Sequence, residues 1–110
     1  MSRPRFIPVD QDGVLPDGSE FVLSYVEVIG DSIVLRLHLN DARAIRRFAG
    51  PLLGLRDHHG QEFEWRSSAS GGLIPGEVLH EFADNLSERA RGIELFLRSS
   101  DFTLGVVELA

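Results

Sequence analysis

Apolar positions are most regularly spaced over residues 21–40, FVLSYVEVIGDSIVLRLHLN, which alternate on both sides of a single Gly-Asp pair. A period of two marks a half-buried strand, because successive side chains leave a strand on opposite faces. Gly30-Asp31 suits a two-residue primed turn, so the segment predicts a β-hairpin. Folding the runs about that turn pairs Val28 with Ile33, Val26 with Leu35, Ser24 with Leu37 and Val22 with Leu39 on a nearly apolar face. The opposite face pairs Glu27 with Val34, Tyr25 with Arg36 and Leu23 with His38. A slip of one residue would exchange the two faces, so hydrophobic burial specifies the register.

Residues 52–67, LLGLRDHHGQEFEWRS, predict a second hairpin. A three-residue loop, His58-His59-Gly60, places the glycine at the left-handed position of a bulged turn. Leu55 then faces Phe63, Leu53 faces Trp65, and Arg56 faces Glu62 as a cross-strand charge pair. Before the first hairpin, residues 1–20 carry three prolines and two Asp-Gly turns; they read as an extended arm with a short edge strand over 5–9. Asn40 or Asp41 as a cap, with Gly50 and Pro51 as a stop, predicts a short helix between the hairpins. Residues 67–77 read as a connecting loop. Residues 77–90 fit either a helical stripe or a strand carrying Val78, His80 and Phe82, and the regular strand spacing around them favours the strand. Residues 93–98 and 103–109 complete the set, with Gly105 marking a bulge or a close backbone approach. About seven short strands joined by turns predict an all-β, antiparallel sandwich. Its expected core is Val22, Val26, Val28, Ile33, Leu35, Leu37, Leu39, Leu53, Leu55, Phe63, Trp65, Phe82, Ile93, Leu95, Leu97 and Val106.

The order of these features resembles small uncharacterised immunoglobulin-like β-sandwich proteins of actinobacteria. The VEVIGDSIVLRLHL hairpin, the LRDHHGQEF turn, the SSASGG loop and the EFADNLSERARGIELFLR pattern carry the resemblance. Leu86-Ser87 stands where that pattern commonly has Leu-Pro. The resemblance implies an immunoglobulin-like fold and brings no activity or site residue with it.

Composition narrows the function classes. The chain has 110 residues and reads as an arm, residues 1–20, followed by one domain, residues 21–110. It has no cysteine, which removes disulfides, thiolate metal sites and thiol nucleophiles. Its 11 basic residues are all arginine, so lysine chemistry is absent as well. The net charge of −6 argues against a nucleic-acid partner, since phosphate backbones are bound by clustered positive charge. No secretory leader and no apolar run of spanning length is seen, which gives a cytoplasmic location, with no membrane partner, as the expectation.

Candidate chemistry is sparse. Asp57-His58-His59 is the densest group of potential metal ligands, but adjacent histidines at a turn diverge, and a polar hairpin tip is the plainer reading. Asp10-Gln11-Asp12-Gly13 lacks the remaining positions of a calcium loop. Glu62 and Glu64 share one strand face, as solvated strands commonly do. No cofactor is expected. The mixed face of the first hairpin is the best candidate: Leu23, Tyr25, Val34, Arg36 and His38 combine the residue types enriched at interfaces. Its plainer reading is a Tyr25–Arg36 stack on an ordinary surface, or a face covered by the arm or by Ala42 to Phe48. The expected function is a non-catalytic protein-binding or structural module, with a protein partner or homodimer. The alternative is an acidic immunity-type protein that neutralises a basic toxin, and a hydrolytic enzyme with scattered site residues stands further off.

Overall fold

In the computed structural model, which describes residues 5–40, 52–70, 76–84, 92–98 and 100–108, alternation becomes eight antiparallel strands. They are β1 (Arg5–Val14), β2 (Glu20–Ile29), β3 (Ser32–Leu39), β4 (Leu53–Asp57), β5 (Glu62–Ser70), β6 (Glu77–Ala83), β7 (Gly92–Leu97) and β8 (Phe102–Glu108). The described residues contain no α-helix; the helix expected near 41–50 lies outside them.

All eight strands hydrogen-bond into one sheet, in the order β1-β2-β3-β6-β5-β4-β7-β8. Two separate facing sheets, the arrangement expected from the strand count, do not form. The reason lies in β5, which changes neighbours along its length. Its start pairs with β4 (Phe63 opposite Leu55), and from Glu64 onward it pairs with β6 (Trp65 opposite Phe82). The expected Leu53–Trp65 pair is therefore absent. The sheet curls until β8 returns towards β1, where a side chain on Gly105 would lie 2.8 Å from Oε1 of Gln11. The result is barrel-like and nearly closed, with inward-facing residues filling the interior. The arm is part of this sheet as its edge strand β1, which extends to Val14 rather than ending at residue 9.

Both predicted turns form. Ile29 faces Ser32 across Gly30-Asp31, with φ of +57° at Gly30. In the second hairpin the Asp57 amide donates to the Gln61 carbonyl, and Gly60 takes φ of +83°. Arg56 does lie opposite Glu62, yet its guanidinium turns to Glu94 and Asp101, while Glu62 is bonded by Arg98. Arg56 thus bonds across the β4–β7 ladder, where Glu94 is also its direct partner.

The first hairpin departs from its predicted register halfway along. Pairing runs as expected from Val28–Ile33 to Tyr25–Arg36, then jumps to Leu23–Leu37. Ser24 is the extra residue of a β-bulge, and beyond it every side chain of β2 changes face. Leu23 and Phe21 turn into the interior, opposite Leu37 and Leu39, and Val22 turns outward opposite His38. A second bulge lies alongside, since β1 places both Val9 and Asp10 between Pro8–Tyr25 and Gln11–Leu23. Asp10 adopts φ of +49° there. Bulging re-aims the strands enough to bury a leucine and a phenylalanine in place of one valine.

The interior consists of Leu15, Phe21, Leu23, Val26, Ile33, Leu35, Leu37, Leu39, Leu53, Leu55, Phe63, Val78, Phe82, Ile93, Leu95, Leu97, Leu104 and Val107. Val28 and Trp65 pack against it only in part. Val106, expected inside, is 57% exposed, because a bulge next to Gly105 puts Leu104 and Val107 inward instead. Phe82 is buried as expected, the strand favoured within 77–90 forms over 77–83, and Val78 and His80, absent from the expected core, are buried on the same face. Among the described residues one large apolar side chain is buried outside this cluster. Phe96 lies opposite Gly54, where a Cβ would approach its ring to 2.4 Å, and Arg56 stacks over that ring at 4.3 Å.

Candidate functional site

The outer face of β1, β2, β3 and β6 gathers the chain's most interface-like side chains. Register fixes their rows. Pro8, Tyr25, Arg36 and Leu79 lie side by side across the four strands, and Phe6, Glu27, Val34 and Glu81 form the next row. Phe6 is 59% exposed on the edge strand. Its ring centroid lies 4.7 Å from that of Tyr25, tilted by 38°. The Arg36 guanidinium sits over the tyrosine ring, 5.6 Å from its centroid, within cation–π range. Glu77 on β6 accepts a hydrogen bond from Arg36 Nη2 and raises the guanidinium pKa above its ordinary value.

Of the five side chains expected on this face, Tyr25, Val34, Arg36 and His38 are on it, all half-buried. Leu23 is not. It is 1% exposed in the interior, because the Ser24 bulge inverts the strand beyond Tyr25, and Val22 takes its place beside His38. The Tyr25–Arg36 stack of the plainer reading is present too, whereas the arm extends the sheet as β1 instead of covering the face, and residues 42–48 lie outside the described ones. Phe6, Leu79 and Glu77 are the members that sequence reasoning missed. Phe6 was legible once 5–9 was read as a strand, since it must face opposite Ile7 and Val9. Leu79 follows in the same way from placing Val78, His80 and Phe82 on one face.

The other candidates dissolve into structure. Asp57 is buried, and its Oδ1 accepts the amides of His59 and Gln61 at 2.9 and 2.8 Å, which fastens the turn. The His58 and His59 rings stack on each other at 4.0 Å on the exposed tip. Among the described residues no three His, Asp or Glu side chains are grouped to hold a metal ion. Glu62 and Glu64 lie on exposed parts of β5. Ser68 Oγ lies 2.8 Å from Nδ1 of His80 and accepts a hydrogen bond from Trp65 Nε1 at 3.1 Å. This hydroxyl–imidazole pair has the elements of a nucleophile and a base. However, His80 is 1% exposed, and burial holds its pKa down to about 4. The pair closes a polar network inside the barrel, where an unbonded imidazole would be costly.

Among the described residues no helix is long and apolar enough to cross a membrane. Comparison with protein-family profiles, with curated proteins and with solved structures finds no match to this chain.

Proposed function

We propose that this protein is a non-catalytic interaction module that binds another protein through the outer face of β1, β2, β3 and β6. The observation that carries this reading is the Phe6–Tyr25–Arg36–Glu77 chain of contacts. Aromatic and arginine side chains supply most binding hot spots. Here they are held in place before any partner arrives, which lowers the entropy lost on association. Leu79 and Val34 extend the apolar area beside them, and β1 supplies Phe6 from the edge. On the opposite wall Phe96 is buried beneath Arg56, and the exposed apolar side chains are Leu52, Phe102 and Val106. A role in neutralising a basic toxin is a narrower form of the same reading, favoured by the acidic balance of the chain.

A photoreactive phenylalanine analogue at position 6 or 79, introduced into the full chain in its host cell, tests this. We expect one discrete crosslinked protein from both positions and none from position 106 on β8. The double change Tyr25→Ala, Arg36→Ala should lower the yield at least tenfold. It should still leave a cooperatively folded domain, because a partly exposed ion pair and cation–π contact contribute only about 1 kcal/mol. Equal crosslinking from position 106, or an unchanged yield in the double variant, would refute the assignment.

A further inference from the structure

The face just described ends in a pocket between β1 and β2. Asp12 lies opposite Val22 and Val14 opposite Glu20, so these four side chains share the outer surface around the Gly13–Phe21 pair between them. Both members of that pair face the interior, the Phe21 ring filling the space that a side chain on Gly13 would take. The floor is consequently low and the walls stand above it. Asn40 borders one side, where its Nδ2 donates to Glu20 Oε2 at 3.0 Å. The pocket is open to solvent and its volume is about 280 Å³. Among the described lining residues none carries a positive charge. Val22 also lies opposite His38 on β3, one outward position from Arg36, so pocket and face are continuous.

We infer that this pocket receives an arginine or lysine side chain of the protein that docks on the neighbouring face. The inference rests on the reading of that face as an interface. Three features point to this occupant. The volume falls at the lower limit of small-molecule sites, about 300–1,000 Å³, which suits a single side chain better than a drug-sized ligand. The lining joins two valines to two carboxylates, and long basic side chains match it, with an apolar stem and a cationic head. The chain as a whole is acidic, at −6, so a basic partner is attracted from a distance and an acidic one repelled.

The test uses the isotopically labelled full chain and three probes, the N-acetyl N-methylamides of arginine, lysine and norleucine. Arginine or lysine probe should shift the backbone amides of residues 12–14 and 20–22, and the uncharged norleucine probe should not. Asp12→Asn, Glu20→Gln should weaken the response at least fivefold, and raising the salt to molar concentration should do the same. Both carboxylates are exposed, so this variant should melt as the parent does. Equal shifts from norleucine, shifts centred elsewhere, or an undiminished response in the variant would overturn the inference. The crosslink from position 6 separates the two readings. If it persists in full in Asp12→Asn, Glu20→Gln, the face stands and the basic anchor falls. If cationic probes bind as expected but no crosslink forms, the docking face falls and the anchor loses its partner with it.

Discussion

The buried His80 makes this protein's stability dependent on pH well above the range in which its carboxylates titrate. In the unfolded chain the imidazole titrates near 6.5, whereas burial among Val78, Phe82 and Ser68 lowers the folded value to about 4. Between those values the unfolded state binds a proton that the folded state does not, so stability falls as pH falls. The contribution is fully present above pH 6.5 and declines at 1.36 kcal/mol per unit as the pH drops towards 4. The total comes to about 3 kcal/mol, a large part of the 5–15 kcal/mol typical of a domain. The neutral ring suits its partner: the Ser68 hydroxyl, which accepts from the Trp65 indole, can donate to an unprotonated Nδ1 or accept from a protonated one. Urea unfolding at pH 7.5 and pH 4.5 should show the midpoint falling by about 1–2 M, given slopes of about 1–3 kcal/mol per molar urea. His80→Asn keeps a polar group near Ser68 but cannot take up the proton. It should start less stable at pH 7.5 and lose about 2–3 kcal/mol less than the parent on acidification. Asp31 and Glu94, whose carboxyls are held low by Arg66 and Arg56, contribute to both proteins alike and lose their share only at still lower pH. Parallel pH profiles for parent and variant would refute the argument.

Two further outcomes follow from the bulged strands. Leu23→Ala should cost about 2–5 kcal/mol in chemical denaturation and Val22→Ala less than about 1, since one is buried and the other faces out. The reverse order would restore the unbulged hairpin. Asp10 holds a left-handed backbone at φ of +49°, so Asp10→Gly should be neutral or slightly stabilising, and Asp10→Val should cost about 1–3 kcal/mol in thermal melts.

The turns were legible because local chemistry decides them: a glycine with positive φ at Gly30 and at Gly60, each between alternating runs. The strand over 77–83 was legible for a different reason, the placement of Val78, His80 and Phe82 at every second position. The bulge at Ser24 was not. A hairpin with Val22 inside and one with Leu23 and Phe21 inside both alternate correctly as far as Tyr25, and only the curvature of the closed wall chooses between them. The single sheet was hidden for a related reason. Strand count and turn spacing are the same for a sandwich and a barrel, and the change of partner at Glu64 is a tertiary event. The site inherited that error at one position, Leu23, and its outer members Phe6 and Leu79 come from strands outside the hairpin, Leu79 from one far along the chain.

The crossover that seats β6 beside β3 has a consequence for a chain still being made. β1, β2 and β3 form a local meander that can assemble once residue 39 is available, but the free edge of β3 is covered only by residues 77–83. Until then Ser32–Leu39 presents unpaired amides and carbonyls beside a row of aliphatic side chains, with no proline or lysine to discourage another strand. β1 is better guarded on its own outer edge, by Pro8, the bulge at Asp10 and the charge of Asp12. A nascent or truncated chain ending near residue 70 therefore carries its greatest aggregation hazard in the strand that becomes the middle of the finished wall.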